Sequence, residues 1–180
     1  YLRDTKGRGI RLTPGNTGIA ASGHFDAAYG VHPDGKSHTG ACIMIGDAGP
    51  VLAESCRQQI VTKSSTEAEL VALSDSTNQL LHLRRFLIAQ GHPQDPATIY
   101  QDNMSCMALQ DKGRSASKRT RHIHIRYFWT KEQCDNGEIT IVHRATELMG
   151  AANIMTKPIQ GNQFQNERYQ LTNCAGSNDN

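Results

Sequence analysis

The sequence predicts a single α/β domain with a five-stranded mixed sheet and helices on both faces. Three observations lead to this fold class. Three strand-like runs come first, a long stretch of helical periodicity follows, and strands and helices then alternate as far as residue 156. That order of elements is typical of a sheet whose two faces are both covered by helices.

The individual elements follow from local composition and from turn residues. Strands are predicted over 19–29, 38–45 and 51–60, and Gly46-Asp47-Ala48-Gly49 is the predicted turn between the last two. After them we expect a helix over 64–90, a strand over 98–102, a small helix over 103–110, a helix over 122–134, a strand over 138–143 and a helix over 147–156. The predicted organisation is a connecting segment over 1–17, a folded domain over 18–172 and a disordered tail over 173–180.

Composition excludes several classes of protein. Apolar residues make up 37% and charged residues 20% of the chain, as in soluble globular proteins, and no apolar run is long enough to span a bilayer. The five cysteines include no Cys-x-x-Cys pair, and the eight histidines include no His-Glu-x-x-His motif. A disulfide framework or a zinc site is therefore not expected. We expect an intracellular protein in a reducing compartment. Because the chain begins with Tyr1 and lacks a secretory signal pattern, we expect a fragment of a longer protein.

Basic residues are concentrated in one short stretch, although the net charge is only +2. They are Lys112, Arg114, Lys118, Arg119, Arg121 and His122. Such a stretch is either a solvated loop or a surface that binds nucleic-acid phosphates, and the stretch taken alone favours neither interpretation.

The predicted helix over 64–90 carries two glutamates in different positions. Ser64 and Glu67 form a Ser-x-x-Glu capping box, which gives Glu67 a structural role at the helix start. At about 100° per residue, Glu69 shares the apolar stripe of Leu73 and Leu80, whereas Glu67 lies roughly opposite. A carboxylate on the buried face is costly unless a cation meets it, so Glu69 is a candidate metal ligand. The alternative is a glutamate at the edge of the core that reaches solvent.

Two aspartates occupy positions where a strand favours other residues. Asp102 ends an apolar strand just before a predicted helix, where it is either an N-cap or part of a ligand site at the strand end. Asp26 lies inside a strand-like run, where Asp is unfavourable, so either a turn or bulge or a functional role explains it.

Five short segments, taken together, are more specific than any of these residues. They are His24-Phe25-Asp26-Ala27-Ala28-Tyr29-Gly30, Ser64-Ser65-Thr66-Glu67-Ala68-Glu69-Leu70, Ile99-Tyr100-Gln101-Asp102-Asn103, Arg119-Thr120-Arg121-His122-Ile123 and Ile154-Met155-Thr156-Lys157-Pro158. In this order, and over residues 18–159, they resemble the successive motifs of ribonuclease H domains in copia-type retrotransposon polyproteins. Residues 1–6 resemble the segment that joins the reverse transcriptase to that domain.

The resemblance implies a catalytic, metal-binding site formed by Asp26, Glu69, Asp102 and Asn153. Relatives often have an acid at the position of Asn153, so this chain departs from the family there. Oxygen donors of this kind imply two ions, Mg²⁺ or Mn²⁺, as cofactors. The implied activity is hydrolysis of the RNA strand of RNA·DNA hybrids during reverse transcription.

The resemblance also implies contacts to nucleic acid. Candidates for contacts to RNA 2′-hydroxyl groups are Ser65, Thr66 and Asn103, although for each of them taken singly the sequence favours a role at a helix N-terminus. Candidates for binding the hybrid within the basic stretch are Lys118, Arg119, Arg121 and His122. His143, near the end of the last strand, is a candidate auxiliary residue for proton transfer or product release, and a strand-end histidine without a role is the alternative.

The implied partners are the RNA·DNA hybrid and a reverse transcriptase domain of the same polyprotein, with no membrane partner. The implied location is the cytoplasm, in the virus-like particle of the retrotransposon. Two alternatives stay open. One is a catalytically weakened or silent domain that only holds the hybrid, because Asn153 replaces the fourth acid. The other is an integrase- or transposase-like nuclease, which the Ser-Ser-Thr-Glu-Ala-Glu helix after the third strand disfavours.

Overall fold

The structure, a computed structural model, describes residues 9–13, 18–104 and 121–173, without the side chains of residues 121–124. Its strands are β1 (Ala21–Ala28), β2 (His38–Ile45), β3 (Pro50–Arg57), β4 (Ala97–Gln101) and β5 (Ile139–His143). Its helices are α1 (Ser65–Ala89), α2 (Arg121–Asp135), α3 (Gly150–Thr156) and α4 (Gly161–Thr172), and a 3₁₀ turn spans Thr146–Leu148. The small helix predicted over 103–110 falls almost entirely outside the described residues.

The five strands form one mixed sheet in the order β3-β2-β1-β4-β5. β1, β2 and β3 pair antiparallel as a meander, whereas β4 pairs parallel with both β1 and β5. The predicted fold class is therefore confirmed. The ladder between β1 and β4 ends at the pair His24–Tyr100, while β1 itself continues to Ala28. Asp26 thus lies on the part of β1 that extends past its ladder with β4.

One face of the sheet carries the main apolar core. Phe25 of β1 and Ile43 of β2 are almost completely buried against Leu70, Leu73 and Leu80 of α1. Full burial of side chains of this size stabilises the fold by roughly 1.5–3 kcal/mol each. α2 packs against α1 and β5 on the same face.

The opposite face is covered by α3. Side chains alternate along a strand, so Asp26 and its cross-strand partner Gly40 point away from the Phe25 face. α3 approaches the sheet so closely that a Cβ on Gly40 would lie 2.7 Å from the carbonyl oxygen of Ala152. A glycine at residue 40 is therefore what lets α3 reach the strand that carries Asp26.

The fold differs from the sequence-based expectation in several places. The helix predicted over 147–156 is divided into the 3₁₀ turn Thr146–Leu148 and α3 (Gly150–Thr156), and the strand predicted over 19–29 is the shorter β1 (Ala21–Ala28).

The third strand ends at Arg57 rather than residue 60. At Gln58 the backbone N–H still donates to the Ser37 carbonyl, and the buried side-chain amide donates to Thr39 Oγ1 and to the Ala68 carbonyl. α4 was not predicted at all, since its sequence is mostly polar and lacks a wide apolar stripe. It packs against α3, where a Cβ on Gly150 would lie 2.8 Å from Glu167 Cγ.

The chain before the first strand contacts the end of α4. The Arg11 N–H donates to the Thr172 carbonyl at 2.8 Å, and the side-chain amide of Asn173 donates to the carbonyls of Arg11 and Ala48. Asn173 caps α4 in the left-handed region at φ 52°, which Asn tolerates better than most residues. Residues 9–13 are thereby attached to the folded domain. Among the described residues, no helix has the length and apolar character needed to cross a membrane.

Candidate metal-binding active site

Three carboxylates from three elements meet in one place. Asp26 comes from β1, Glu69 from the second turn of α1, and Asp102 directly follows β4. One carboxylate oxygen of each lies within 4.8 Å of the others. Asp26 and Glu69 are buried, with only 2% and 5% of their surface exposed, and Asp102 is half-buried. The three acids that the sequence predicts to act together are thus brought together.

Burial and mutual repulsion both disfavour the ionised form of the carboxylates in this cluster. Burial, together with the neighbouring carboxylates of Asp26 and Asp102, raises the pKa of Glu69 to about 8. A divalent cation would remove that penalty, because it favours the ionised form of all three groups. The donors are all oxygens, which suits the hard cations Mg²⁺ and Mn²⁺. The residues present therefore fit such an ion.

A buried glutamine supports two of the acids at once. Gln101, the last residue of β4, is fully buried, and its amide nitrogen donates to Glu69 Oε2 at 3.3 Å. Its amide oxygen accepts the backbone N–H groups of Asp102 and Asn103. The side chain that orients Glu69 therefore also holds the backbone that carries Asp102.

Two threonine hydroxyls orient the aspartates. Thr146 Oγ1 donates to Asp102 Oδ2 at 2.8 Å, and Thr156 Oγ1 donates to Asp26 Oδ2. Thr156 belongs to the Thr-Lys-Pro segment, which the sequence identified as a motif but to which it assigned no role. Hydrogen bonds that hold ligand carboxylates in place are typical of metal sites.

Asn153 reaches the edge of the same cluster from α3. It is 3% exposed, its amide nitrogen donates to the Thr146 carbonyl at 2.9 Å, and its Oδ1 accepts from Lys157 Nζ at 3.0 Å. The same ammonium lies 3.1 Å from Asp26 Oδ2. Glu147, the other acid near this segment, is exposed and does not belong to the acidic cluster of the described residues.

The predicted nucleic-acid contacts are only partly described. Ser65 is exposed and Thr66 half-buried in the first turn of α1, and Asn103 is half-buried beside the acids. His143 is exposed at the end of β5, where it pairs with Gln101. Lys118 and Arg119 lie outside the described residues. Arg121 and His122 begin α2, but their side chains are not described.

Sequence reasoning missed four residues that contact the acids: Gln101, Thr146, Thr156 and Lys157. Two of them, Thr156 and Lys157, lie in the quoted Thr-Lys-Pro motif. Since Thr and Lys are polar and rarely form part of an apolar core, their presence in a motif could have suggested a role at the site. Gln101 carried a weaker signal, a polar residue at the end of an apolar strand. Nothing in the sequence points to Thr146.

A second polar group lies next to the acids on the same sheet face. His24, Tyr100 and Arg144 line a cavity of about 350 Å³, and the Arg144 guanidinium stacks 3.5 Å above the Tyr100 ring. Burial lowers the pKa of His24 to about 4, with a smaller contribution from the charge of Arg144. His24 is therefore neutral at physiological pH.

The chain is similar in sequence to segments of long retrotransposon polyproteins. It is 28% identical over 165 residues to the retrovirus-related Pol polyprotein from transposon TNT 1-94 of Nicotiana tabacum. The aligned region covers 92% of this chain and 12% of the relative. It is 30% identical over 167 residues to the Pol polyprotein from transposon RE1 of Arabidopsis thaliana, covering 92% and 11%. The chain thus spans about an eighth of these curated relatives or less. No protein-family model matches it.

Solved structures of low sequence identity share the fold. The LC11 ribonuclease H1 isolated from compost superimposes with a TM-score of 0.56 at 14% identity, covering 77% of this chain and 92% of that one. The ribonuclease H1 of Halobacterium salinarum gives a TM-score of 0.51 at 15% identity, covering 76% and 93%. The foamy viral protease-reverse transcriptase in complex with an RNA/DNA hybrid gives 0.52 at 13% identity, covering 78% and 19%. The expected resemblance is confirmed: the chain has the ribonuclease H fold and is similar, over most of its length, to a segment of retrotransposon Pol polyproteins.

Proposed function

We propose that this chain is a metal-dependent endonuclease that hydrolyses the RNA strand of RNA·DNA hybrids during reverse transcription of a copia-type retrotransposon. The observation that carries the proposal is the group of three carboxylates, Asp26, Glu69 and Asp102, on a ribonuclease H fold. Three acids that crowd together in a partly buried place have no structural benefit without a cation, since each one destabilises the ionised form of the others.

The residues of the site would divide the work as follows. Asp26, Glu69 and Asp102 would hold divalent cations, with Asn153 offering a neutral carbonyl oxygen at the edge of the cluster. When bound, Mg²⁺ or Mn²⁺ activates water and neutralises charge that develops on the phosphate. Gln101, Thr146 and Thr156 keep the carboxylates in position, so that little reorganisation is needed when substrate arrives.

The reaction is a hydrolysis at phosphorus. The oxygen of a water molecule forms a bond to the phosphorus as the bond from phosphorus to the 3′-oxygen breaks. The water loses a proton and the departing 3′-oxygen gains one, which leaves a 5′-phosphate and a 3′-hydroxyl. Hydrolysis consumes no cofactor, so the bound cations are unchanged at the end.

Recognition of the hybrid is proposed for surfaces around the acids. Ser65, Thr66 and Asn103 lie on the elements that carry Glu69 and Asp102, where contacts to 2′-hydroxyl groups would distinguish RNA from DNA. The basic residues Lys118, Arg119, Arg121 and His122 would bind phosphates. We propose that a reverse transcriptase domain belongs to the same polyprotein and that the reaction occurs in a cytoplasmic virus-like particle.

The decisive experiment is a cleavage assay with a labelled RNA·DNA hybrid in Mg²⁺ or Mn²⁺, with and without chelator. Cleavage confined to the RNA strand and abolished by chelator supports the proposal. Asp26→Asn and Asp102→Asn should abolish it while far-ultraviolet circular dichroism stays unchanged. Asp135→Asn is the matched control, because Asp135 is an exposed carboxylate at the end of α2, and it should cleave normally. Cleavage of duplex DNA instead of the hybrid would favour the strand-transfer class.

A catalytically silent hybrid-binding domain is the second candidate. It is favoured by the amide at residue 153 and by the ammonium of Lys157, which already pairs with Asp26. This domain would bind the hybrid with the affinity of an active enzyme but would cleave it in neither metal. Binding without cleavage, measured at matched salt, would establish it in place of the enzyme.

A further inference from the structure

We propose that the ammonium of Lys157 acts as a built-in cation at the edge of the acidic cluster, so that the site binds one divalent ion tightly and admits a second only by displacing Lys157. The inference rests on the proposed function, since it concerns the same acids. It assigns a role to a residue of the Thr-Lys-Pro segment that neither the sequence nor the fold assigns.

The position of the ammonium is the first argument. Lys157 Nζ lies 3.1 Å from Asp26 Oδ2 and 3.0 Å from Asn153 Oδ1, so it bridges the two residues. These are the acid from β1 and the amide at the position that the family resemblance assigns to a fourth metal ligand. A second cation held by Asp26 and residue 153 would compete with this ammonium for the same two oxygens.

The backbone directs Lys157 to this place. Lys157 caps α3, its own N–H donates to the Asn153 carbonyl at 3.0 Å, and Asn153 stands one helical turn before it. The preceding residue, Thr156, donates its hydroxyl to the same Asp26 oxygen that accepts from the ammonium. The end of α3 is therefore built to present both a hydroxyl and an ammonium to Asp26.

The Lys157 side chain is exposed to solvent while its two partners are buried, so a second divalent ion could displace the ammonium. Asp26 and Asn153 are both at least 97% buried, whereas 43% of the Lys157 side chain is exposed to solvent. The long lysine side chain reaches the acids from the solvent side with only its tip inside. It can withdraw into water without disturbing the core, and the two buried oxygens would stay in place.

Charge balance favours one divalent ion. Once a divalent ion holds all three carboxylates in the ionised form, they carry three negative charges, which that dication and the Lys157 ammonium neutralise together. A second dication would add two positive charges to a neutral cluster and would face the ammonium. Repulsion between a dication and an ammonium ~4 Å apart exceeds RT even at the dielectric of bulk water. The second ion therefore binds weakly as long as Lys157 stays in place.

The test is the stoichiometry of Mn²⁺ binding to the full 180-residue chain without nucleic acid, measured by isothermal titration calorimetry and by the electron paramagnetic resonance of free Mn²⁺. The wild type should bind one ion tightly. Lys157→Met should bind two, with the second at least about tenfold tighter than any second ion in the wild type, since a like charge has been removed from its neighbourhood. Lys131→Met is the control, because it removes the same charge from an exposed pair with Asp135 and should bind one ion.

Two further variants keep the result interpretable. Asn153→Asp adds a negative charge beside the ammonium and should strengthen the second ion while Lys157 is still present. Asp26→Asn should weaken binding at both positions. Two tight ions in the wild type, or one ion in Lys157→Met, would overturn the inference.

The stoichiometry does not depend on cleavage, so the two proposals fail separately. A chain that never cleaves a hybrid, but whose Lys157→Met variant gains a second Mn²⁺, would refute the proposed function and leave this inference standing. A chain that cleaves hybrids with unchanged stoichiometry in Lys157→Met would do the reverse.

Discussion

Gln101 and Glu69 are joined by a hydrogen bond beside the candidate site, with the Gln101 amide nitrogen 3.3 Å from Glu69 Oε2. The other end of the same amide accepts the N–H of Asp102 at 2.8 Å and of Asn103 at 3.1 Å. Since Gln101 is fully buried, it has no competing contact with solvent. A single neutral side chain thus sets the direction of one acid and the backbone path of another.

Gln101→Leu should therefore reduce cleavage of the hybrid by about 10- to 100-fold, the effect typical of groups that orient metal ligands. Leu has a similar size, so the core stays filled, but two backbone N–H groups lose their acceptor, at about 1–3 kcal/mol for each that stays buried. The measurements are kcat/KM and the melting temperature. The control is Gln79→Leu. Gln79 lies on α1 ten residues after Glu69, and its side-chain amide donates to the carboxylate of Glu54 on β3. Normal cleavage by a folded Gln101→Leu variant would refute a positioning role.

Glu69→Gln should damage activity far more than Glu67→Gln. Glu69 lies in the acidic cluster, whereas the Glu67 carboxylate accepts the Lys63 N–H at 2.7 Å and only caps α1. The loss of part of a cap costs about 1 kcal/mol of stability and no metal ligand. Cleavage rates and unfolding free energies of both variants check this, and a reversed order of effects would show that Glu69 is not a ligand.

In the metal-free protein, the free energy of unfolding should fall as the pH rises from 6.5 to about 8, because of Glu69. Its folded-state pKa of about 8 lies above its ordinary value of 4.5, so the folded protein keeps a proton that the unfolded chain has released. The stability contributed by that proton is complete below pH 4.5 and is lost as the pH rises through 8. His24 acts in the opposite direction at lower pH, because its folded-state pKa of about 4 lies below 6.5. Its contribution is complete above 6.5.

Denaturant titrations in chelator between about pH 6.5 and about pH 8 therefore follow the effect of Glu69, at pH values below the ordinary cysteine pKa of 9.0. Glu69→Gln should remove most of the decline, since Gln does not titrate. Glu67→Gln is the matched control and should keep it. A decline of the same size in Glu69→Gln would assign the effect to another group.

Asn153→Asp should lower the Mg²⁺ concentration that gives half of the maximal cleavage rate. A carboxylate ~4 Å from a dication attracts it by about 2 kcal/mol even in bulk water, and ~1.4 kcal/mol is a factor of ten in binding. Mn²⁺ should gain less, because it tolerates imperfect geometry better than Mg²⁺. Metal titrations of the cleavage rate at matched salt compare the two proteins. An unchanged Mg²⁺ requirement would mean that residue 153 does not contribute to cation binding.

Most of the fold followed from local patterns. The strand over 38–45 is found with the predicted bounds, and the first long helix differs from its prediction by one residue at each end. Ser64 caps that helix as expected, although the Glu67 carboxylate bonds to the N–H of Lys63 rather than that of Ser64. These elements are encoded by periodicity and caps within a few residues, which is why a sequence suffices. α4 lacks such a signal, because its place is decided by packing on α3.

The sequence by itself determined which three acids would meet, because helical phase distinguishes Glu69 from Glu67 and the resemblance adds Asp26 and Asp102. Only the tertiary structure decided what orients those acids. Gln101, Thr146 and Lys157 reach them from the end of β4, a 3₁₀ turn and the end of α3. Thr146 and its partner Asp102 are 44 residues apart, and Lys157 and Asp26 are more than a hundred apart. Local sequence patterns hold no information about contacts of such range, which exist only once the sheet has brought its strand ends together.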